Sequence, residues 1–265
     1  MGEKIHAIKS LGQHFLVNKQ ICTRIIDLIR PEQEDKILEI GPGPGALSSL
    51  LAAGGPKKLL LLERDKRFAV HLKSLYPQVS VLQMDALSFC WSKLDKGWKI
   101  VGNLPYNIAS PLVWDILSQY DGLEKAVFMV QQEVAERICA PEGSRQYGAL
   151  SVWCQNFSHP VCKMQVSAGS FSPPPKVKSA VVAFKPLPMS ERTSCPEELK
   201  AILHLFFQKR RKQLGSIIRS SQFPILFQIL NDLKIDTSLR PENLSPAQYL
   251  LIAESFASWK KLNLN

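Results

Sequence analysis

The sequence predicts an α/β fold: a doubly wound, mainly parallel sheet followed by a small all-helical C-terminal domain. Three observations carry this. Short apolar runs such as residues 59–62, of the kind buried on both faces of a parallel sheet, alternate with stretches of helical periodicity as far as Phe184. A glycine-rich turn, Gly41-Pro42-Gly43-Pro44-Gly45, lies between the first strand-like and the next helix-like stretch. A polar, proline-bearing stretch, 186–196, then separates the alternation from a tail that shows helical patterns only.

Each element follows in turn. Apolar residues at 21, 25, 26, 28 and 29 predict a helix over 21–29. Residues 36–40 read as a strand ended by the glycines, and 46–53 as a helix closed by Gly54-Gly55-Pro56. A strand over 58–62, a helix over 68–75 stopping before Pro77, and strands over 79–82 and 99–101 come next. Ser110 followed by Pro111 predicts an N-cap and first helical residue, with the helix running to 117. Residues 125–130 read as a fifth strand and 133–138 as a helix, while 152–157, 161–166 and 179–184 read as extended. Past the linker, 196–207, 211–219, 225–233 and 246–258 carry helical patterns. Ligands of such sheets sit at the carboxyl ends of the strands, and the motifs below all fall at such ends.

A chain of 265 residues suits one large domain, or one large and one small. With 45% hydrophobic and 21% charged residues it has the profile of an ordinary globular protein. No apolar run approaches the length needed to cross a bilayer. The start, Met1-Gly2-Glu3-Lys4-Ile5-His6, lacks the apolar core of a secretory signal, and His6 breaks the myristoylation pattern. The six cysteines form no C-x-x-C pair and the five histidines show no metal-ligand spacing. Free thiols in a reducing cytoplasm and no metal site are therefore expected. The net charge of +10 is uneven: 5 basic and 2 acidic residues in 1–30, 16 and 14 in 31–180, and 12 and 7 in 181–265. A polyanionic partner touching both ends accounts for that distribution.

Asn103-Leu104-Pro105-Tyr106 places a side-chain amide, a free carbonyl, a rigid proline and an aromatic ring in one short loop. A flat base with an exocyclic amine needs that set: acceptors for two N–H groups at Asn103 and Leu104, a stiff backbone at Pro105, and a stacking face at Tyr106. The glycine loop is G-x-G-x-G rather than G-x-G-x-x-G, and no Lys-Ser or Lys-Thr follows it. It therefore suits a nucleoside cofactor without a pyrophosphate, S-adenosylmethionine above all, with Gly41 and Gly43 allowing close approach of the backbone. Glu63, at the end of the next strand, can accept from both ribose hydroxyls. Asp85, after the third strand, can accept from an adenine amine or simply cap a turn. Phe171-Ser172-Pro173-Pro174-Pro175-Lys176-Val177 is a second rigid loop that could hold Phe171 against the other face of the base. Lys209, Arg210, Arg211 and Lys212, next to Phe206 and Phe207, suit phosphate contacts or form a solvated helix face.

Together with Gly12-Gln13-His14-Phe15-Leu16 and Arg240-Pro241-Glu242-Asn243-Leu244-Ser245, these motifs occur in the order and spacing of the small-subunit ribosomal RNA adenine N6,N6-dimethyltransferases, which the chain closely resembles over nearly its whole length. The resemblance implies a Rossmann-like methyltransferase catalytic domain over 1–188 and a helical rRNA-binding domain over 189–265. It implies that His14, Leu16, Gly41, Glu63, Asp85 and Asn103 hold S-adenosylmethionine and that Tyr106 and Phe171 stack on a flipped adenine. The implied activity is dimethylation of two adjacent adenines in a small-subunit rRNA hairpin, in subunit biogenesis; a cytoplasmic location follows from the free thiols, and a monomer is the default expectation. Many members carry Asn where this chain has His14, and often Thr where it has Gln213. Two alternatives share the fold: a large-subunit rRNA dimethyltransferase, for which an Asn-Ile-Pro-Tyr loop is usual, and a non-catalytic RNA-binding assembly or transcription factor.

Overall fold

The computed structural model describes residue 8 and residues 12–263. The readings made on the stretch up to His6 lie outside the described residues. A two-residue strand, Phe15–Leu16 (β1), leads into the helix Lys19–Ile29 (α1), which starts two residues ahead of the apolar pattern because the Asn18 side chain accepts from the amides of Gln20 (3.0 Å) and Ile21 (3.3 Å). Lys36–Ile40 (β2), Ser48–Ala53 (α2), Lys58–Glu63 (β3), Lys66–Leu75 (α3), Ser80–Gln83 (β4), Trp98–Asn103 (β5), Ala109–Gln119 (α4) and Leu123–Gln131 (β6) then alternate as the pattern of apolar runs requires.

The main sheet has seven strands. Beyond β6 the chain passes through the helices Gln132–Ile138 (α5) and Ala149–Phe157 (α6), the strand Ser158–Val166 (β7), the short strand Phe171–Ser172 (β8) and the strand Ser179–Pro186 (β9). The sheet order is β4-β3-β2-β5-β6-β9-β7, with β8 pairing β1 separately. The pairs β2–β3, β3–β4, β2–β5 and β5–β6 are parallel, and β9 runs antiparallel to β6. The chain leaves β2 towards β3 on one side and later returns to β5 on the other. That reversal opens a crevice at the carboxyl ends of β2 and β5, where the glycine loop and Asn103 begin. At the opposite end of β5, the buried Lys99 ammonium is satisfied by Asp35 (2.7 Å) and the Arg30 carbonyl (3.1 Å). Ile25, Ile37, Leu51, Leu61, Val101, Val127 and Val181 form the sheet's core with one face of α1 and α2.

The chain divides into two compact units: residues up to Ala135 with Pro160–Pro186, and Glu136–His159 with the residues from Leu187 on. The second unit contains α5 beyond Ala135, α6, and the helices Pro196–Phe207 (α7), Leu214–Arg219 (α8), Ile225–Asp232 (α9) and Pro246–Asn263 (α10). Residues 136–159 thus fall outside the division expected after residue 188, because α6 packs on α7 and α10.

Three local expectations change, and one pairing is new. Residues 152–157 are helical, not extended: α6 is buried on nearly every face, so it has no amphipathic period to read, and packing overrides the β-branched and aromatic composition. Ser110 lies inside α4, whose cap position is Ile108, and Pro111 sits in the first turn, where its missing N–H costs nothing. Residues 211–213 precede α8 instead of starting it, so the basic run is a turn between α7 and α8. The pairing of β1 with β8, too short to show as a pattern, joins the N-terminal segment to the triple-proline loop.

Candidate active site

The glycine loop forms the floor of a cleft of about 800 Å³, open mouth included, lined by residues 12–15, Gly41, Gly43, 62–65, 84–86 and 103–108. Gly41 and Gly43 have left-handed backbones (φ +64° and +53°), which a side chain disfavours. A Cβ on Gly41 would lie 3.8 Å from the Asn103 carbonyl oxygen, so the two loops face each other closely. A Cβ on Gly43 would press on the Phe15 ring at 3.0 Å.

Glu63 ends β3 at 5% exposure. Its Oε2 accepts from the Gly43 amide (2.9 Å) and its Oε1 from the Asp65 amide (2.8 Å). Each carboxylate oxygen keeps a further lone pair for the cleft. Burial pushes this carboxyl above its ordinary value, opposed by those two amides. Asp85 caps the turn that follows it, accepting from the Leu87 amide (3.0 Å), and pairs with Arg64 (3.3 Å) while still lining the cleft. The turn-capping reading of Asp85 is what the hydrogen bonds show.

Asn103 is the last residue of β5, opposite Met129 of β6. Its Nδ2 donates to the His14 carbonyl (2.8 Å). A carbonyl only accepts, so the amide must present its NH₂ there, which leaves Oδ1 free to accept. The Leu104 amide bonds the Met129 carbonyl (3.0 Å), while no hydrogen bond reaches the Leu104 carbonyl among the described residues. The Tyr106 hydroxyl bonds Ser179 (2.7 Å). The His14 ring stacks on Tyr106 with centroids 5.5 Å apart and planes at 24°.

Two expected site residues stand elsewhere. Phe171 is 4% exposed, lies in the hydrophobic core and does not line the cleft. Leu16 pairs with it across β1–β8 and is equally buried. Side chains alternate along a strand, so this ribbon turns Leu16 and Phe171 inward together. Gln13 and Asp65, which the sequence reading passed over, are linked to each other: Gln13 donates to Asp65 (3.0 Å), and Arg67 holds the Asp65 carboxyl down at about 2. The only sequence signal for them was their adjacency to His14 and Glu63.

In the second unit, Arg210 is not a free cation: it bonds Glu242 through Nη2 (2.7 Å) and Nε (3.1 Å), and the Arg145 carbonyl (3.0 Å). Lys209 bonds Ser220 (2.9 Å), and Phe206 is core while Phe207 stacks on Tyr249. Arg211 and Lys212 are exposed.

A switch-point cleft floored by a glycine loop, with a buried carboxyl at Glu63 and the Asn103 amide, the Leu104 carbonyl and the Tyr106 ring in its lining, is the arrangement that an S-adenosylmethionine-dependent methyltransferase of planar amines needs. The residues fit that cofactor: the left-handed glycines leave room where side chains would intrude, and Glu63 is prefixed by backbone donors. The family model described as ribosomal RNA adenine dimethylase matches residues 5–258, and the chain belongs to that family. It is 46% identical over 262 residues to a "Ribosomal RNA small subunit methyltransferase A" of Nitratidesulfovibrio vulgaris, covering 95% of this chain and 97% of the relative. The protein of that name in Lawsonia intracellularis is 40% identical, covering 97% and 96%. A crystal structure of a dimethyladenosine transferase from Plasmodium falciparum superimposes with a TM-score of 0.81 at 27% identity, covering 92% of this chain and 98% of that one. The 23S rRNA methyltransferase ErmE shares the fold, with a TM-score of 0.67 at 23% identity.

Proposed function

We propose that this chain transfers methyl groups from S-adenosylmethionine to N6 of two adjacent adenines in a small-subunit rRNA hairpin, giving N6,N6-dimethyladenosine during small-subunit biogenesis. The orientation of the Asn103 amide carries the reading. With Nδ2 held by His14, Oδ1 and the Leu104 carbonyl are left as two acceptors for one exocyclic amine. The adenine N6 lone pair is delocalised into the ring. Two acceptors on its N–H groups draw the amine out of conjugation and orient the lone pair towards the floor at Gly41. When bound, S-adenosylmethionine supplies a sulfonium-activated methyl group. Gly41, Gly43, Glu63 and Asp85 hold it, Pro105 stiffens the loop, and Tyr106 supplies the stacking face. Phe171 would have to leave the core to serve as a second wall.

The unit containing α7 to α10 binds rRNA, with Arg211 and Lys212 on phosphates and Lys209 beside them. Arg210 holds the turn in shape. The cleft is complete within one chain, which supports a monomer. Six free cysteines suit the cytoplasm. Labelled methyl transfer to small-subunit particles lacking the modification, followed by nucleoside analysis, tests the reading. Dimethyladenosine in small-subunit rRNA is expected; label in large-subunit rRNA, or none, overturns it.

A further inference from the structure

We infer that Gln13 and Asp65 form a clasp that holds the N-terminal segment closed over the cofactor side of the cleft, which makes both of them positioning residues for cofactor binding. Gln13 is bonded at both ends of its amide: Oε1 accepts from the Ile8 amide (2.8 Å) and Nε2 donates to Asp65 Oδ2 (3.0 Å). A backbone N–H only donates, so the Ile8 bond fixes which way the Gln13 amide points. Asp65 is 7% exposed. Arg67 grips it from its own helix, through Nη2 on Oδ2 (2.6 Å) and Nε on Oδ1 (3.1 Å). That pairing holds the Asp65 carboxyl at about 2, against burial and with help from Gln13, so the clasp is charge-assisted at neutral pH.

The clasp is continuous with the cofactor site. The Asp65 amide donates to Glu63 Oε1 (2.8 Å) and the Gly43 amide to Glu63 Oε2 (2.9 Å). One connected network therefore runs from Ile8 through Gln13, Asp65 and Glu63 to the glycine loop. Phe15 adds an apolar half: its ring meets Phe68 of α3 edge-on at 5.1 Å, and a Cβ on Gly43 would press on it. The segment is thus fastened to the stretch from β3 into α3 by one polar and one apolar contact. A methyl donor must be replaced after every transfer, so a cofactor site that closes must also reopen. A single side-chain hydrogen bond suits that duty, because it raises the closed population without locking it.

The inference rests on the proposed reaction for its cofactor alone. Calorimetry of the full chain with S-adenosylmethionine, in the absence of RNA, tests the clasp whichever rRNA is methylated. Gln13→Ala should weaken cofactor Kd about tenfold, the order expected for losing one hydrogen bond to a charged partner. Gln13→Glu, which sets a carboxylate against Asp65, should weaken it at least as much. Adding Asp65→Asn to Gln13→Glu returns an amide donor and a carboxylate acceptor to the pair with their roles exchanged, and should restore Kd to within about threefold of wild type. A residue that touched the cofactor directly, or merely supported the fold, would not be rescued in this way. Wild-type Kd in Gln13→Ala, or a double variant as weak as Gln13→Glu alone, overturns the inference. Should the double variant not fold, the cofactor dissociation rate decides: Gln13→Ala should release S-adenosylmethionine about tenfold faster, and an unchanged rate overturns the inference. Wild-type protein that binds the cofactor but methylates no small-subunit rRNA would overturn the proposed activity, with the clasp still decided by the same Kd values.

Discussion

Replacing Asn103 by Ala removes one hydrogen bond seen in the structure and one acceptor awaiting the substrate. The first, Nδ2 to the His14 carbonyl at 2.8 Å, is partly buried, and its loss should cost about 1 kcal/mol of stability. The second, Oδ1, accepts on the proposed reading from the amine's N–H groups, whose positive charge grows as the methyl arrives. Preorganised groups of that kind contribute about 3–4 kcal/mol to the transition state, a factor of roughly 10² to 10³ in kcat. Catalysis should thus suffer far more than folding. Asn103→Asp sharpens the contrast, because a carboxylate oxygen would face the His14 carbonyl where the NH₂ now donates. Single-turnover methyl transfer to unmodified small-subunit particles measures the chemical step, with particle affinity and thermal midpoint recorded alongside. Asn103→Ala should lose nearly all transfer, keep most of its rRNA affinity and melt only slightly lower. Wild-type turnover in that variant, or a loss explained wholly by weaker particle binding, would refute the assigned role.

Tyr106→Phe loses only the bond to Ser179 and should stay within several-fold of wild type, whereas Tyr106→Ala should weaken function by about 1–3 kcal/mol of stacking, read as kcat/KM; equal effects would contradict a stacking role. Glu39 is 2% exposed and accepts from the Ser48 hydroxyl (2.6 Å), and burial pushes its carboxyl from 4.5 up to about 8. The folded chain therefore holds a proton that the unfolded chain has released, so this group's stabilisation is complete below pH 4.5 and is lost as the pH rises through about 8. Glu39→Gln should gain thermal stability relative to wild type across that window; parallel pH profiles would contradict it. In the basic turn, Arg210→Ala should lower stability by about 1 kcal/mol through its ties to Glu242 and Arg145. Lys212→Ala should leave the melting temperature alone and reduce the salt dependence of rRNA binding by about one unit of slope.

Much of the first unit was legible because its signals are local. Parallel strands buried on both faces read as apolar runs, glycines needing positive φ cluster where β2 turns back, and Asn103 to Tyr106 follow a strand. The helix α6 was not legible: it is buried nearly all round, so the period that distinguishes helix from strand is absent. The division of the chain was misplaced for the same reason, since nothing in residues 136–159 announces that they pack with the later helices.

The residues alone marked groups that the fold gathers at one cleft: the glycine loop, Glu63, Asp85 and Asn103 to Tyr106, each a short contiguous signal at a strand end. Tertiary structure decided how those groups are held and which are free. The pairing of β1 with β8 buries Leu16 and Phe171 and brings His14 against Tyr106, and Arg210 is tied to Glu242 and to the Arg145 carbonyl. These depend on contacts between segments such as 14 and 173 or 210 and 242, far apart in the chain and brought together only by packing, so no local pattern can encode them.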